Sequence, residues 1–189
     1  MIKTVNDIGF EIKSEDNNYD YQKKLTPKLD IISTNFNQNI INEIVLWKVN
    51  RYAELSENTL SLLNTISTSS IEIDEDLTRK VLKSLIKEQG VQLAMASTIL
   101  RFRNPHIYQI IDQRVYRILY GLTLKLPLYV SEKNTTNQIE IYLNYLSELR
   151  VVSKRLNIRF EDADRILYEA DKRCNKDEKL INYGTVVSI

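Results

Sequence analysis

The chain has 189 residues, a formal net charge of +1, 43% hydrophobic and 27% charged residues. These values fit one soluble domain with enough apolar material for a sizeable core, and near-neutrality gives no global signature of a nucleic-acid binder. Four Gly and three Pro are too few for a turn-rich all-β fold, and one cysteine (Cys174) with one histidine (His106) argues against a disulfide or a structural zinc centre. Residues 1–36 are polar, with short apolar clusters, and are expected to form an arm on the domain. The alternation Ile8, Phe10, Ile12 within it is compatible with one short strand. From Asn37 to Arg51 the period becomes helical, with Ile40, Ile41, Ile44, Val45 and Trp47 on one face. Trp47 is expected in the core, its indole N–H meeting a carbonyl.

A second helix is expected over Ser56–Ile66, then a loop of small hydroxyl residues at Ser67–Ser70. The clearest helix follows. Asp74 is its N-cap, Glu75 and Asp76 lie at its positive end, and Leu77, Val81, Leu82, Leu85 and Ile86 form its stripe. Lys87 stands in the last turn and Gly90 can adopt the left-handed conformation that ends it. Val91–Phe102 restarts as a helix with small residues Ala94, Ala96 and Ser97, and Asn104-Pro105 stops it. Asp112–Tyr120 is closed by Gly121, and Thr136–Leu156 and Glu161–Arg173 complete the series. Asp162 and Asp164 are expected to cap and support the last of these. Helices thus run through a domain at 37–175, with 176–189 as a tail. The expected class is all-α, with at most one short strand pair in the arm. No run of about 18 apolar residues appears, so no membrane partner is expected. The opening Met-Ile-Lys-Thr-Val-Asn-Asp lacks a hydrophobic signal core, which makes the cytoplasm the expected compartment.

Two stretches carry a resemblance. Gly90-Val91-Gln92-Leu93-Ala94-Met95-Ala96, followed by Ile110-Ile111-Asp112-Gln113-Arg114-Val115-Tyr116-Arg117, resembles the core of the helix-hairpin-helix DNA glycosylases. Trp47-Lys48 and Phe160–Tyr168 resemble features of uncharacterised bacterial proteins thought to share that fold. The resemblance implies a two-lobed helical fold with the substrate cleft between a hairpin lobe and a lobe built from both termini. It implies that Gly90, Val91 and the backbone at Gln92 hold a phosphate of double-stranded DNA, through N–H groups at a helix start. It implies that Asp112 is the catalytic carboxylate of a base-excising, base-flipping hydrolase. Gln92 stands where the family's second hairpin glycine belongs. The lysine that some members use as a Schiff-base nucleophile falls at Ala94, and no lysine occurs from Glu88 to Tyr120. An enzyme of this kind would therefore be monofunctional, without lyase activity and without metal or organic cofactor.

Local charge supports a polyanionic partner. Arg101, Arg103, Arg114, Arg117 and Lys125 surround the lone acid Asp112, and Arg114 and Arg117, three apart, share one side of a helix. Arg101, Arg103, Arg114 and Arg117 are the expected DNA contacts, and Tyr108 and Tyr116 are candidates to stack on a flipped base. Tyr142, Tyr145 and Tyr168 are assigned to packing, His106 to an exposed loop, and Cys174 is read as inert. The residues alone leave alternatives open. Asp112 also reads as an ordinary N-cap, Gly90 as an ordinary helix stop, and the arginines as partners of neighbouring acids. A non-catalytic DNA-binding protein, or a helical interaction module that keeps the fold, stands beside the glycosylase reading. The target base and the oligomeric state are not written in the sequence.

Overall fold

The computed structural model describes residues 2–19, 25–48, 55–88, 90–127 and 129–180. Among them are eight α-helices and no strand: α1 Leu25–Asp30, α2 Gln38–Lys48, α3 Glu57–Asn64, α4 Glu75–Lys87, α5 Leu93–Arg103, α6 Gln113–Tyr120, α7 Glu132–Arg155 and α8 Ala163–Cys174. The class is all-α, as composition and periodicity require. The caps behave as local chemistry dictates. Asp74 Oδ1 accepts from Leu77 N at 2.9 Å to start α4, and Gly121 ends α6 at φ 69°. Helix α7 begins a turn earlier than its apolar period suggests, because Ser131 Oγ accepts from Asn134 N at 3.1 Å. The last helix is entered through a 3-10 turn at Phe160–Asp162.

Helix α5 is central. Ten of its eleven residues are buried, Arg101 and Arg103 among them, so it must be covered on all sides. Helices α2 and α4 pack on it, α3 and α7 flank α4, and α6 packs on α8. One continuous apolar core includes Leu29, Ile44, Trp47, Leu85, Ile99, Ile111, Ile118, Leu149 and Leu167.

The expected strand at Ile8, Phe10 and Ile12 is absent among the described residues. Residues 5–9 form turns, and a 3-10 turn follows at Ser14–Asn17. A strand needs a neighbour to pair with; this segment instead bonds to helices. Val5 N donates to Ile118 O at 2.8 Å, Lys3 N to Asn175 Oδ1 at 2.7 Å, and Arg173 holds Asp16 at 2.7 Å. Val5, Leu29 and Phe36 join the core, so residues 1–36 are tied into the fold wherever they are described. Trp47 is buried as expected, but its Nε1–H donates to the Thr26 hydroxyl at 2.7 Å rather than to a carbonyl. The expected continuation of α2 to Arg51 and the tail beyond Leu180 lie outside the described residues.

Candidate functional site

Asp112 is both a cap and a cavity wall. Its Oδ1 accepts from Arg114 N at 2.7 Å, in extended backbone at the start of α6. The other oxygen, Oδ2, lies 3.9 Å from Lys48 Nζ, on α2. Both side chains are mostly covered, at 26% and 19% exposure, yet both line two cavities of about 210 Å³ each. The sequence separation of 64 between them hides this pairing from any local pattern.

The first cavity is lined by Tyr19, Trp47, Tyr168, Ile110, Val115, Asp164 and Arg165, together with Lys48 and Asp112. Tyr19 and Tyr168 meet edge to face at 6.1 Å, and Trp47 meets Phe102 edge to face at 5.2 Å. Asp164 does more than support α8. Its Oδ2 accepts from Ile110 N at 3.2 Å, fixing the extended segment that delivers Asp112. Ser97 Oγ accepts from Ile111 N at 3.2 Å, and the Tyr145 hydroxyl donates to Ile110 O at 2.7 Å. The two residues before Asp112 are therefore held by α5, α7 and α8 at once. Arg165 is held by Asp30, whose carboxyl also meets Arg101 at 2.6 Å. Burial pushes the Asp30 carboxyl up, but the Arg165 hydrogen bond and the two guanidinium charges outweigh it and hold it below the ordinary value.

The second cavity opens against the α4–α5 hairpin. Gln92 and Ala94 line it with Ile111, Gln113, Leu124, Leu126 and Pro127. Gly90 turns the chain at φ 81° and is exposed, while Val91 is buried and donates its N–H to Glu88 O. Gln92 is the N-cap of α5 without a side-chain cap bond. A short connection thus separates α4 from α5, and residues at the start of α5 line the cavity that Asp112 shares.

The arginines require correction. Arg101, Arg103 and Arg117 are buried, not presented to solvent. Arg103 donates to the carbonyls of Ile66, Asn64 and Thr34. Arg117 forks onto Asp171, with Nε 2.9 Å from Oδ1 and Nη2 2.6 Å from Oδ2. Arg114 reaches the same carboxylate at 3.2 Å and lies over the Tyr168 ring. Their acids come from more than fifty residues away, which is why a local charge count makes this region look basic. Tyr108 is likewise a core residue, hydrogen-bonded to Thr78 at 2.7 Å, with burial pushing its hydroxyl up to about 12. Tyr116 rests on Tyr120 at 4.5 Å. The rings that face the first cavity are Tyr19, Trp47 and Tyr168, the last of which reads from sequence as packing only. His106 lies in a turn with its side chain exposed, as expected, and is tied there to Glu161 at 2.8 Å. Among the described residues no group of three or more His, Cys, Asp or Glu could hold a metal ion, and no helix is long and apolar enough to cross a membrane. No family model, curated protein or solved structure matches the chain.

Proposed function

We propose that the chain binds double-stranded DNA and hydrolyses the N-glycosidic bond of an extruded nucleotide, as the helix-hairpin-helix DNA glycosylases it resembles do. The observation that carries this reading is the seat of Asp112, on the wall of two cavities and 3.9 Å from a lysine. Base departure leaves positive charge on the sugar. A partly covered carboxylate stabilises that charge and takes a proton from the water that adds. Tyr19 and Tyr168 supply ring faces and edges for the displaced base, with the buried Trp47 behind them lining the cavity. The first turn of α5 offers backbone N–H groups toward a phosphate at the second cavity. The buried arginines take no part in DNA contact in this reading.

Asp112→Asn is the sharp variant, because asparagine caps a helix as well as aspartate does. Wild type and variant are incubated with duplexes each carrying one altered base, and abasic sites are scored by alkali cleavage. Base release by wild type and its loss in Asp112→Asn are expected. Equal background from both across the panel overturns the enzyme reading. A second reading, a helical interaction module, is favoured by the engagement of both Arg114 and Arg117 with Asp171. It is distinguished by the absence of any salt-dependent retention of duplex.

A further inference from the structure

From Asn6 to Tyr19 a single residue is buried, and it is a carboxylate, Asp16. Tyr19, three residues on, lines the first cavity with Asp112. We propose that this stretch is a latched wall of that cavity, and that Asp16 is the positioning residue that seats it, through Arg173 on α8. Release of the latch opens the cavity. The inference rests on the proposed function only for what the cavity holds, a displaced base; the latch itself stands on geometry.

The stretch is not held as a core element is. Ile8 is fully exposed, and Phe10, Ile12 and Tyr19 are only partly covered. A cavity of about 280 Å³ is lined by Ile8, Gly9 and Phe10 and, from the end of α8, by Arg173 and Cys174. Little buried apolar area therefore resists local detachment. Polar bonds hold the stretch instead. Arg173 Nε lies 2.9 Å from Asp16 Oδ1 and Nη2 lies 2.7 Å from Oδ2, and Nη2 also donates to Glu11 O at 3.1 Å. A carboxylate stays buried only while it is paired, so this pair decides whether the stretch is seated.

The latch reaches the cavity through a hydrogen-bonded turn. Lys13 N donates to Asp16 Oδ2, Asn18 N to Glu15 O and Tyr19 N to Asn17 O, each at 3.0 Å. Seating Asp16 therefore fixes Tyr19. Helix α8 receives that ring as well, with Tyr168 edge to face and the Arg165 guanidinium 5.3 Å from its centroid. Arg165, Tyr168 and Arg173 recur at helical spacing on one side of α8, so one helix face carries both the latch and the cavity wall.

The chain carries its own reporters, one cysteine and one tryptophan. Cys174 lines the cavity against the stretch, and Trp47 lines the cavity that Tyr19 walls. Maleimide labelling of Cys174 and acrylamide quenching of Trp47 are measured on wild type, Asp16→Asn, Tyr19→Ala and, as a remote control, the exposed Lys28→Gln. Circular dichroism confirms that each variant is folded. Asp16→Asn is expected to label about fivefold faster, with Trp47 quenched more strongly. Tyr19→Ala leaves the ion pair in place and is also expected to label faster, because wall and latch move as one unit. Lys28→Gln changes neither signal. Wild-type labelling in either Asp16→Asn or Tyr19→Ala overturns the proposal. Faster labelling of Asp16→Asn with Trp47 quenching unchanged overturns it too, since the pair then holds the stretch but not the cavity. A separate arm uses the altered-base duplexes. On a duplex from which wild type releases the base, Asp16→Asn is expected to raise KM and leave kcat near wild type; an unchanged KM overturns the role in holding the base. No release from any duplex sinks the proposed function, while labelling and quenching still decide the latch.

Discussion

Replacing Asp171 by alanine should cost more than any surface substitution in this chain. The carboxylate is fully buried and receives Arg117 at 2.9 and 2.6 Å, Arg114 at 3.2 Å and Asn175 Nδ2 at 2.9 Å. Asn175 in turn bonds both N and O of Lys3. One side chain therefore joins α6, α8 and the N-terminal segment. Removing it leaves the Arg117 guanidinium, itself only 4% exposed, without a counter-charge. Breaking a buried pair in this way costs about 3–5 kcal/mol, a large part of the roughly 5–15 kcal/mol that holds a domain together. Equilibrium urea unfolding followed by circular dichroism measures it. The double variant Asp171→Leu/Arg117→Met removes both charges and should recover most of the loss, because desolvating the pair offsets much of its attraction. A loss for Asp171→Ala below about 1 kcal/mol, the range of exposed pairs, would refute the claim that this pair is sealed. The same geometry bears on DNA. Were Arg114 or Arg117 a phosphate contact, neutralising it would lower the slope of log affinity against log salt by about one; no change in that slope is expected.

Ser97→Ala should destabilise by about 1–3 kcal/mol, since it orphans the buried Ile111 N–H. By loosening the segment that delivers Asp112, it should also lower base release more than a remote substitution of equal cost; base release matching such a control would count against this linkage. Gly121→Ala should cost about 1 kcal/mol in a thermal melt, because φ is 69° and a Cβ would meet Thr4 Cγ2 at 3.1 Å; a neutral result would mean the α6 terminus relaxes freely. Acid should loosen the attachment of the N-terminal segment. Burial raises the Asp16 carboxyl, but the Arg173 hydrogen bond and the Lys13 N–H outweigh it, leaving it below the ordinary carboxylate value. Its contribution is complete above the unfolded value and is lost as pH falls through the folded one. Melting temperatures taken downward from pH 5 should fall less steeply in Asp16→Asn, and parallel curves would exclude the linkage.

The parts of the fold that were legible in the sequence are those decided by neighbours in the chain. Asp74 and Gly121 act on backbone within a few residues, so their roles can be read directly from spacing, whereas Gly90 is left-handed as expected but α4 has already ended before it, at the extended Glu88. The stripe of α4 is legible for the same reason: Val81, Leu82, Leu85 and Ile86 need only the 3.6-residue period to share a face. The candidate site was half legible. Asp112 announces itself as an acid opening a helix, but its surroundings do not. Lys48 arrives from 64 residues upstream, and Tyr19 and Tyr168 from opposite ends of the chain. The arginines mislead by the converse route. Arg101, Arg103, Arg114 and Arg117 form a basic run only while Asp30, Asp171 and the carbonyls of Ile66 and Asn64 are out of view. A buried arginine must be paired, and α5 is too enclosed to leave its arginines in water. That enclosure was itself foreshadowed by the small residues Ala94, Ala96 and Ser97, which let neighbouring elements approach. Helix burial thus decides how a positive charge is to be read: beside a long polar face it addresses a ligand, and within a helix apolar on every side it addresses the fold. Lys48 is the informative exception, a cation on α2 beside the core residue Trp47 that lines both cavities.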